Sequence, residues 1–210
     1  MPFKSQLLIF TRYPKAGTTK TRLIGELGEH GAAQLQKKLT ERLVREARDL
    51  KKRSKLPYVI HYCGGSREEM RVWLGEVMLV EQAEGDLGAR MAEAFAHAFA
   101  GGATTAVLVG SDIPDISRDL LSQAFSALDS FELVLGPSCD GGYYLVGMRA
   151  AQAPDLFPLL FKEMVWSSSE IFKITTERLT AAGFEAALLP RLRDIDLPGD
   201  LPFARRRGLL

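Results

Sequence analysis

The pattern of apolar and polar positions switches along the chain between short continuous apolar runs and helical stripes. Leu7-Leu8-Ile9-Phe10 is an apolar run within 6–11, followed by Pro14 and Gly17, which predicts a buried strand leading straight into a loop. From Gly31 onward Leu35, Leu39, Leu43, Val44 and Ala47 recur at helical spacing among Lys, Arg and Glu, so a helix is predicted over most of 32–50. Residues 58–62, rich in β-branched and aromatic side chains and closed by Gly64-Gly65, form the second predicted strand. Ser66 and Glu69 make a capping-box pattern for a short helix through Trp73, with a strand at 77–80 after it. Residues 86–99 carry a helical period, and 104–109 is the strongest buried-strand pattern, ended by Gly110-Ser111-Asp112. Ser117 is expected to cap a helix reaching Leu128, strands are expected at 132–135 and 143–148, and a helix at 168–182 with a strand at 185–189 completes the core.

Strands alternating with helices, with no Pro/Gly-rich linker and no internal repeat, predict a single α/β domain over residues 1–210. Its architecture is a three-layer α/β/α sandwich around a mostly parallel, mixed sheet. Such sheets bind ligands at the carboxyl ends of their strands. That rule selects the loops after Phe10 and Val109 and the loop around Asp140.

Composition narrows the function. With 210 residues, 46% of them hydrophobic, the chain can bury a core without staples. Its 27 basic and 26 acidic residues leave a net charge of +1, which disfavours a general nucleic-acid binder. Cys63 and Cys139 are too few for a disulfide scaffold or structural zinc, so a reducing, cytoplasmic setting is expected. No apolar run approaches the ~18 residues of a membrane span. The basic run Arg205-Arg206-Arg207 is read as a solvated chain end. Apolar helix stripes leave the oligomeric state open.

Four constellations can carry chemistry. Residues 11–23 set Arg12, Lys15, Lys20 and Arg22 with hydroxyls and Gly17 between a strand and a helix start, an arrangement suited to phosphate. The segment matches neither the Walker loop nor the dinucleotide fingerprint. Gly110-Ser111-Asp112-Ile113-Pro114-Asp115 offers carboxylates at the mouth of the sheet, where Asp112 is the first choice to hold Mg²⁺ or Mn²⁺ and Asp115 is a metal ligand or a helix cap. In Asp140-Gly141-Gly142-Tyr143-Tyr144 the glycines permit close backbone approach to a ligand, although Asp-Gly is also an ordinary hairpin turn. Alternation in Arg193-Asp194-Ile195-Asp196 puts both aspartates on one face of an extended segment, where one can complete a metal site. The three histidines suggest no catalytic triad.

These blocks, in this order from about Leu7 to the ending Asp194-Ile195-Asp196-Leu197-Pro198-Gly199-Asp200-Leu201, resemble an uncharacterised bacterial family, the DUF2064 group. That group is placed among A-type-fold glycosyltransferases of the nucleotide-diphospho-sugar transferase superfamily. The resemblance implies a Rossmann-like fold, nucleotide phosphates held by Arg12, Lys15, Lys20 and Arg22, and a divalent metal on Asp112. Gly85-Asp86-Leu87-Gly88 is similar to a superfamily segment near the nucleotide, which adds Asp86. Trp166-Ser167-Ser168 resembles a segment on the acceptor side.

The expected activity is therefore a metal-dependent glycosyltransferase moving a sugar from a nucleotide diphospho-sugar to an acceptor. Asp112 and Asp196 are the expected metal ligands, and Asp112, Asp140 and Lys20 the expected catalytic residues. Gly17, Gly141 and Gly142 join the nucleotide-binding set. The strict Asp-x-Asp motif is absent, and Ser111-Asp112-Ile113-Pro114-Asp115 is closer to nucleotidyltransferases that move an NMP from an NTP and release pyrophosphate. A catalytically silent nucleotide-binding protein is the third reading.

Overall fold

The computed structural model describes residues 5–166 and 168–210. Its strands are β1 (Ser5–Arg12), β2 (Tyr58–Cys63), β3 (Met78–Glu81), β4 (Thr105–Gly110), β5 (Leu133–Pro137), β6 (Tyr143–Arg149) and β7 (Ala186–Leu188). They form one sheet in the order β3-β2-β1-β4-β6-β5-β7. Strand β6 runs antiparallel to both neighbours and the remaining pairings are parallel. Because β6 is reversed, its first residue, Tyr143, stands at the edge where β1 and β4 end. That edge is where the functional loops gather.

The helices are α1 (Ile24–Ser54), α2 (Arg67–Leu74), α3 (Leu87–Ala100), α4 (Arg118–Ala127), α5 (Ala153–Phe161), α6 (Ile171–Ala181) and α7 (Leu201–Arg206). Alternation along each strand feeds two cores. Leu7 and Ile9 pack with Val44 and Ala47 of α1, Met70 of α2 and Leu121 of α4. Leu8 and Phe10 pack on the other face with Phe95 of α3, Leu160 of α5 and Leu179 of α6. This is the expected three-layer arrangement, and each fully buried aliphatic or aromatic side chain contributes about 1.5–3 kcal/mol of transfer free energy.

A third core lies off the sheet. Leu23, with Ala32, Leu35 and Leu39 of α1, encloses Ile195, Leu201, Ala204 and Leu209 from the end of the chain. The sequence reading missed both α7 and α5. In α5, Pro154 sits in the first turn and Pro158 inside the helix, so proline interrupts the pattern. The first helix is longer than the predicted 32–50, continuing through a bend at Gly28. The helix expected from Ser168 begins at Ile171. The capping box of Ser66 and Glu69 and the cap Ser117 are present as predicted.

One expectation holds only in part: Arg205 and Arg206 are exposed as expected, but Arg207 is held by a carboxylate. Arg207 Nε lies 2.6 Å from Asp115 Oδ1, and its Nη2 donates to Oδ2 at 2.7 Å. Lys38 donates to the Leu209 carbonyl at 2.8 Å. Buried Leu209 fixes the same segment from below. Among the described residues no helix is long and apolar enough to cross a membrane.

Candidate active site

The functional edge of the sheet opens on a cavity of about 1000 Å³. The loop after β1 enters it through a small set of local bonds. Thr19, which is buried, accepts from the Lys15 N–H at 3.2 Å and donates to the Tyr13 carbonyl at 3.0 Å. The turn this creates delivers Lys20 in the left-handed region, with φ 49. A single helical turn, Thr21–Leu23, follows and anchors Leu23 in the third core. The left-handed backbone sends the Lys20 side chain inward, where it is only 4% exposed.

Inside, the ammonium meets oxygen on several sides. Lys20 Nζ is 2.6 Å from Asp112 Oδ1 and 3.7 Å from Asp196 Oδ1, and it donates to the Ile195 carbonyl at 2.6 Å. Arg22 Nη1 donates to Asp196 Oδ2 at 2.6 Å. Both aspartates remain partly open to the cavity, at 50% and 39% exposure. Arg12 lines the same cavity and has no carboxylate partner among the described residues.

Asp112 is held from below. Ile113 and Ile116 are buried in the core and draw the loop onto the sheet. Gln36 donates to Ser111 Oγ at 2.9 Å and to Thr40 Oγ1 at 3.2 Å, and Ser111 in turn donates to Thr11 Oγ1 at 3.1 Å. The hydroxyls of Thr11 and Thr40 are 2.7 Å apart. All four residues are buried. A satisfied buried network of this kind fixes geometry, because each unmade bond would cost a desolvated polar group.

The aspartates near the chain end arrive on an extended segment. The Ile195 N–H donates to the Asp112 carbonyl at 3.0 Å, and the Ile195 side chain is fully buried in the third core. Its neighbours Asp194 and Asp196 face the cavity, as alternation predicts. Asp194 accepts from Ser138 Oγ at 3.1 Å. Burial raises its pKa, and the nearby Asp140 charge adds to the rise.

The loop between β5 and β6 carries Asp140, which is exposed and accepts from the Gly142 N–H at 2.9 Å. Gly141 has φ 93, and a Cβ there would collide with the Ser169 carbonyl. Its own carbonyl accepts from the Phe172 N–H at 2.8 Å, so this hairpin and the start of α6 are joined. Tyr143 and Trp166 form the wall beyond, meeting edge to face at 6.5 Å. The indole lies on Gly88, which leaves no room for a Cβ, and its Nε1 has no partner among the described residues. Ser167, part of the motif read around Trp166, lies outside the described residues.

Arg12, Lys20, Arg22, Asp112, Asp140, Gly142 and Asp196 are thus brought together around one cavity. Lys15, Gly17, Asp86 and Gly141 are not on its wall. The Gly17 α-carbon faces Glu29, and Asp86 caps α3 by accepting from the Ala89 N–H at 2.8 Å. Asp115 neither caps a helix nor reaches the cavity; Ser117 is the cap and Arg207 holds Asp115. The sequence reading missed Gln36, Gln82 and Arg90, which also line the cavity. Gln36 and Thr40 left a trace, as polar residues four apart on an otherwise apolar helical stripe.

The donor chemistry fits a hard divalent cation. Two carboxylates and a carbonyl already converge on one positive charge, and such ions complete their shells with phosphate oxygens and water. Among the described residues no group of three or more acidic, His or Cys side chains forms a closed metal cage.

A family model for uncharacterised proteins conserved in bacteria, DUF2064, matches residues 46–168. The chain belongs to DUF2064. The matched region holds Asp112 and Asp140, while Lys20, Arg22 and Asp196 lie on either side of it. A DUF2064 chain such as this one is similar to a solved structure from Desulfovibrio desulfuricans G20 provisionally described as a nucleotide-diphospho-sugar transferase. Identity is 33%, the match covers 92% of this chain and 83% of that one, and the TM-score is 0.83. The inositol-1-phosphate CTP transferase from T. maritima shares the fold at 13% identity, over 100% and 95% of the two chains, with a TM-score of 0.57. A manganese complex of Rv0371C from Mycobacterium tuberculosis H37Rv does so at 15% identity, over 96% and 97%, with a TM-score of 0.51. No curated protein matches the chain. Together these likenesses show that the chain shares its fold with these proteins.

Proposed function

We propose that this DUF2064 protein is a metal-dependent glycosyltransferase that moves a sugar from a nucleotide diphospho-sugar to an acceptor. The observation that carries the reading is the convergence of Asp112 and Asp196 on Lys20 at the mouth of an open cavity. Asp112 and Asp196 hold Mg²⁺ or Mn²⁺, which when bound stabilises negative charge on a departing diphosphate. Lys20, Arg22 and Arg12 neutralise the phosphate oxygens, and the Gly142 backbone borders the ligand. Lys15, Gly17, Asp86 and Gly141 shape the loops behind these contacts. Asp140, exposed and without a cation partner among the described residues, orients the acceptor hydroxyl and takes its proton. The provisional description of the D. desulfuricans relative as a nucleotide-diphospho-sugar transferase supports this reading.

The test is a thermal-shift screen of nucleotide diphospho-sugars and NTPs, with and without Mg²⁺ or Mn²⁺, because a ligand of the native state raises the melting temperature by mass action. The expected result is a metal-dependent shift with one sugar nucleotide and release of its nucleoside diphosphate on turnover.

One feature favours a second reading, nucleotidyl transfer. Asp112 is the single carboxylate its loop offers to the cavity, since Ser111 and Ile113 are buried and Asp115 is committed to Arg207. In that reaction an acceptor oxygen attacks the α-phosphate of an NTP and pyrophosphate leaves. A shift with one NTP and none with any sugar nucleotide, together with pyrophosphate release, would replace the first reading by the second. Binding without any turnover would leave a nucleotide sensor.

A further inference from the structure

We propose that the Lys20 ammonium and the divalent cation are alternative occupants of one oxygen cage, so that metal and nucleotide enter as a unit. The inference rests on the metal-dependent reading above and adds an order to it. In the structure the carboxylates of the cage are already neutralised from within. One oxygen of Asp112 and one of Asp196 face Lys20 Nζ at 2.6 and 3.7 Å, and the other oxygen of Asp196 takes Arg22 at 2.6 Å. The Ile195 carbonyl closes the cage at 2.6 Å from the ammonium.

The ammonium is a built resident of this position. Lys20 is one of three non-glycine residues with positive φ among those described, and its side chain is almost wholly enclosed. A left-handed lysine is retained where surrounding contacts over-determine it, and here those contacts are the cage oxygens and the Thr19 turn. A divalent cation seeking the same carboxylate oxygens therefore meets a positive charge at contact distance.

Charge balance then decides what can bind. Metal alone adds two positive charges to a cage whose carboxylates are already matched, and it must displace the ammonium from all three of its oxygen partners. A nucleoside diphosphate alone finds Arg12 without a carboxylate partner among the described residues but meets Lys20 and Arg22 already engaged by aspartates. When the two arrive together the contacts exchange partners: the metal takes the carboxylates while Lys20 and Arg22 turn to the phosphates, and no charge is stranded. Each ligand raises the affinity of the other, and linkage makes the two effects equal. The loops bearing the aspartates stay together through the exchange. They are also joined by the Ile195 N–H to the Asp112 carbonyl and, farther out, by Arg207 to Asp115.

The experiment is a titration of Mn²⁺, with free ion followed by electron paramagnetic resonance, into the wild type, Lys20→Met and Lys20→Gln, each with and without UDP or GDP. Melting curves select the variants that fold. In the wild type, nucleoside diphosphate is expected to tighten Mn²⁺ binding by about tenfold or more. Both variants are expected to bind Mn²⁺ alone about tenfold more tightly than the wild type, to bind the diphosphate more weakly, and to show reduced coupling. Equal Mn²⁺ affinity in the wild type with and without diphosphate overturns the proposal without using any variant. So do folded variants whose affinity for Mn²⁺ alone is unchanged, and in both cases the metal-dependent reading survives. No Mn²⁺ binding by the wild type under any condition removes that reading and the inference with it.

Discussion

Two loops at the same sheet edge each present an aspartate to the cavity, and their surroundings are opposite. Asp112 is salt-bridged to Lys20 at 2.6 Å, its loop is pinned by buried isoleucines, and a closed network of Gln36, Ser111, Thr11 and Thr40 stands behind it. Asp140 is exposed, is held by one bond to the Gly142 N–H, and has Asp194 rather than a cation beside it. A carboxylate that is matched, rigid and shared with a second carboxylate suits holding a positive charge. One that is uncompensated and exposed suits meeting a hydroxyl and taking its proton. Divergent environments for like groups are how one site assigns different roles to the same chemistry.

The largest expected effect tests the first of these assignments. Asp112→Asn removes a charge that the proposed cation and Lys20 both use, and turnover of the donor is expected to fall on the order of 10³-fold. Metal-dependent thermal shifts should vanish with it. If this variant and Asp140→Asn lose the same activity and the same metal response, the two loops do not divide the work as their geometry suggests.

Next comes the support of the Asp112 side. Ile195 fills the third core and gives its N–H to the Asp112 carbonyl, so it ties the two metal-facing aspartates together. Ile195→Ala is expected to cost about 2–4 kcal/mol of stability in denaturant unfolding, by lost burial and an unfilled cavity. Nucleotide and metal affinity should weaken together in the folded fraction. An unchanged metal response in a destabilised protein would show that the third core serves the fold alone.

Asp140→Asn is the complementary change. About 10²-fold of the turnover is expected to disappear, the range in which positioned acid–base groups act. The nucleotide thermal shift should be retained, because Asp140 bonds only to its own turn. Full turnover with an unchanged pH profile would withdraw the base role and leave Asp140 as a hairpin residue.

The contrast between these loops was only half legible in the sequence. Apolar runs placed β1 and β4 and therefore the loops that follow them, since a buried strand writes its burial directly into consecutive residues. Alternation around Ile195 correctly put Asp194 and Asp196 on one side. Composition alone could not say which cation of the basic loop turns inward: Lys15 and Lys20 look alike in sequence. The choice is made by the Thr19 hydroxyl and the left-handed turn it closes. The pairing of Arg207 with Asp115 spans 92 positions and leaves no local signal, so a docked chain end read as a solvated one. Helix α5 was hidden by its own prolines, which the fold accommodates at the first turn and at Pro158.

The smallest effect separates the acid response of the fold from that of the two loops. His61 on β2 is 2% exposed, packs near Phe10 with ring centroids 5.6 Å apart, and has an Nε2 without a partner among the described residues. Burial, with a smaller contribution from the charge of His97, lowers its pKa to about 4. A folded-state value below the unfolded one means that the unfolded chain takes up the proton first as pH falls. Stability attributable to His61 is therefore complete at neutral pH and declines from about 6.5 down to about 4. Between pH 7 and 5.5 the decline should be about 1 kcal/mol. His61→Leu should flatten that slope in urea unfolding while leaving the pH profile of turnover unchanged. If the slope persists in the variant, the acid sensitivity of the fold does not come from His61.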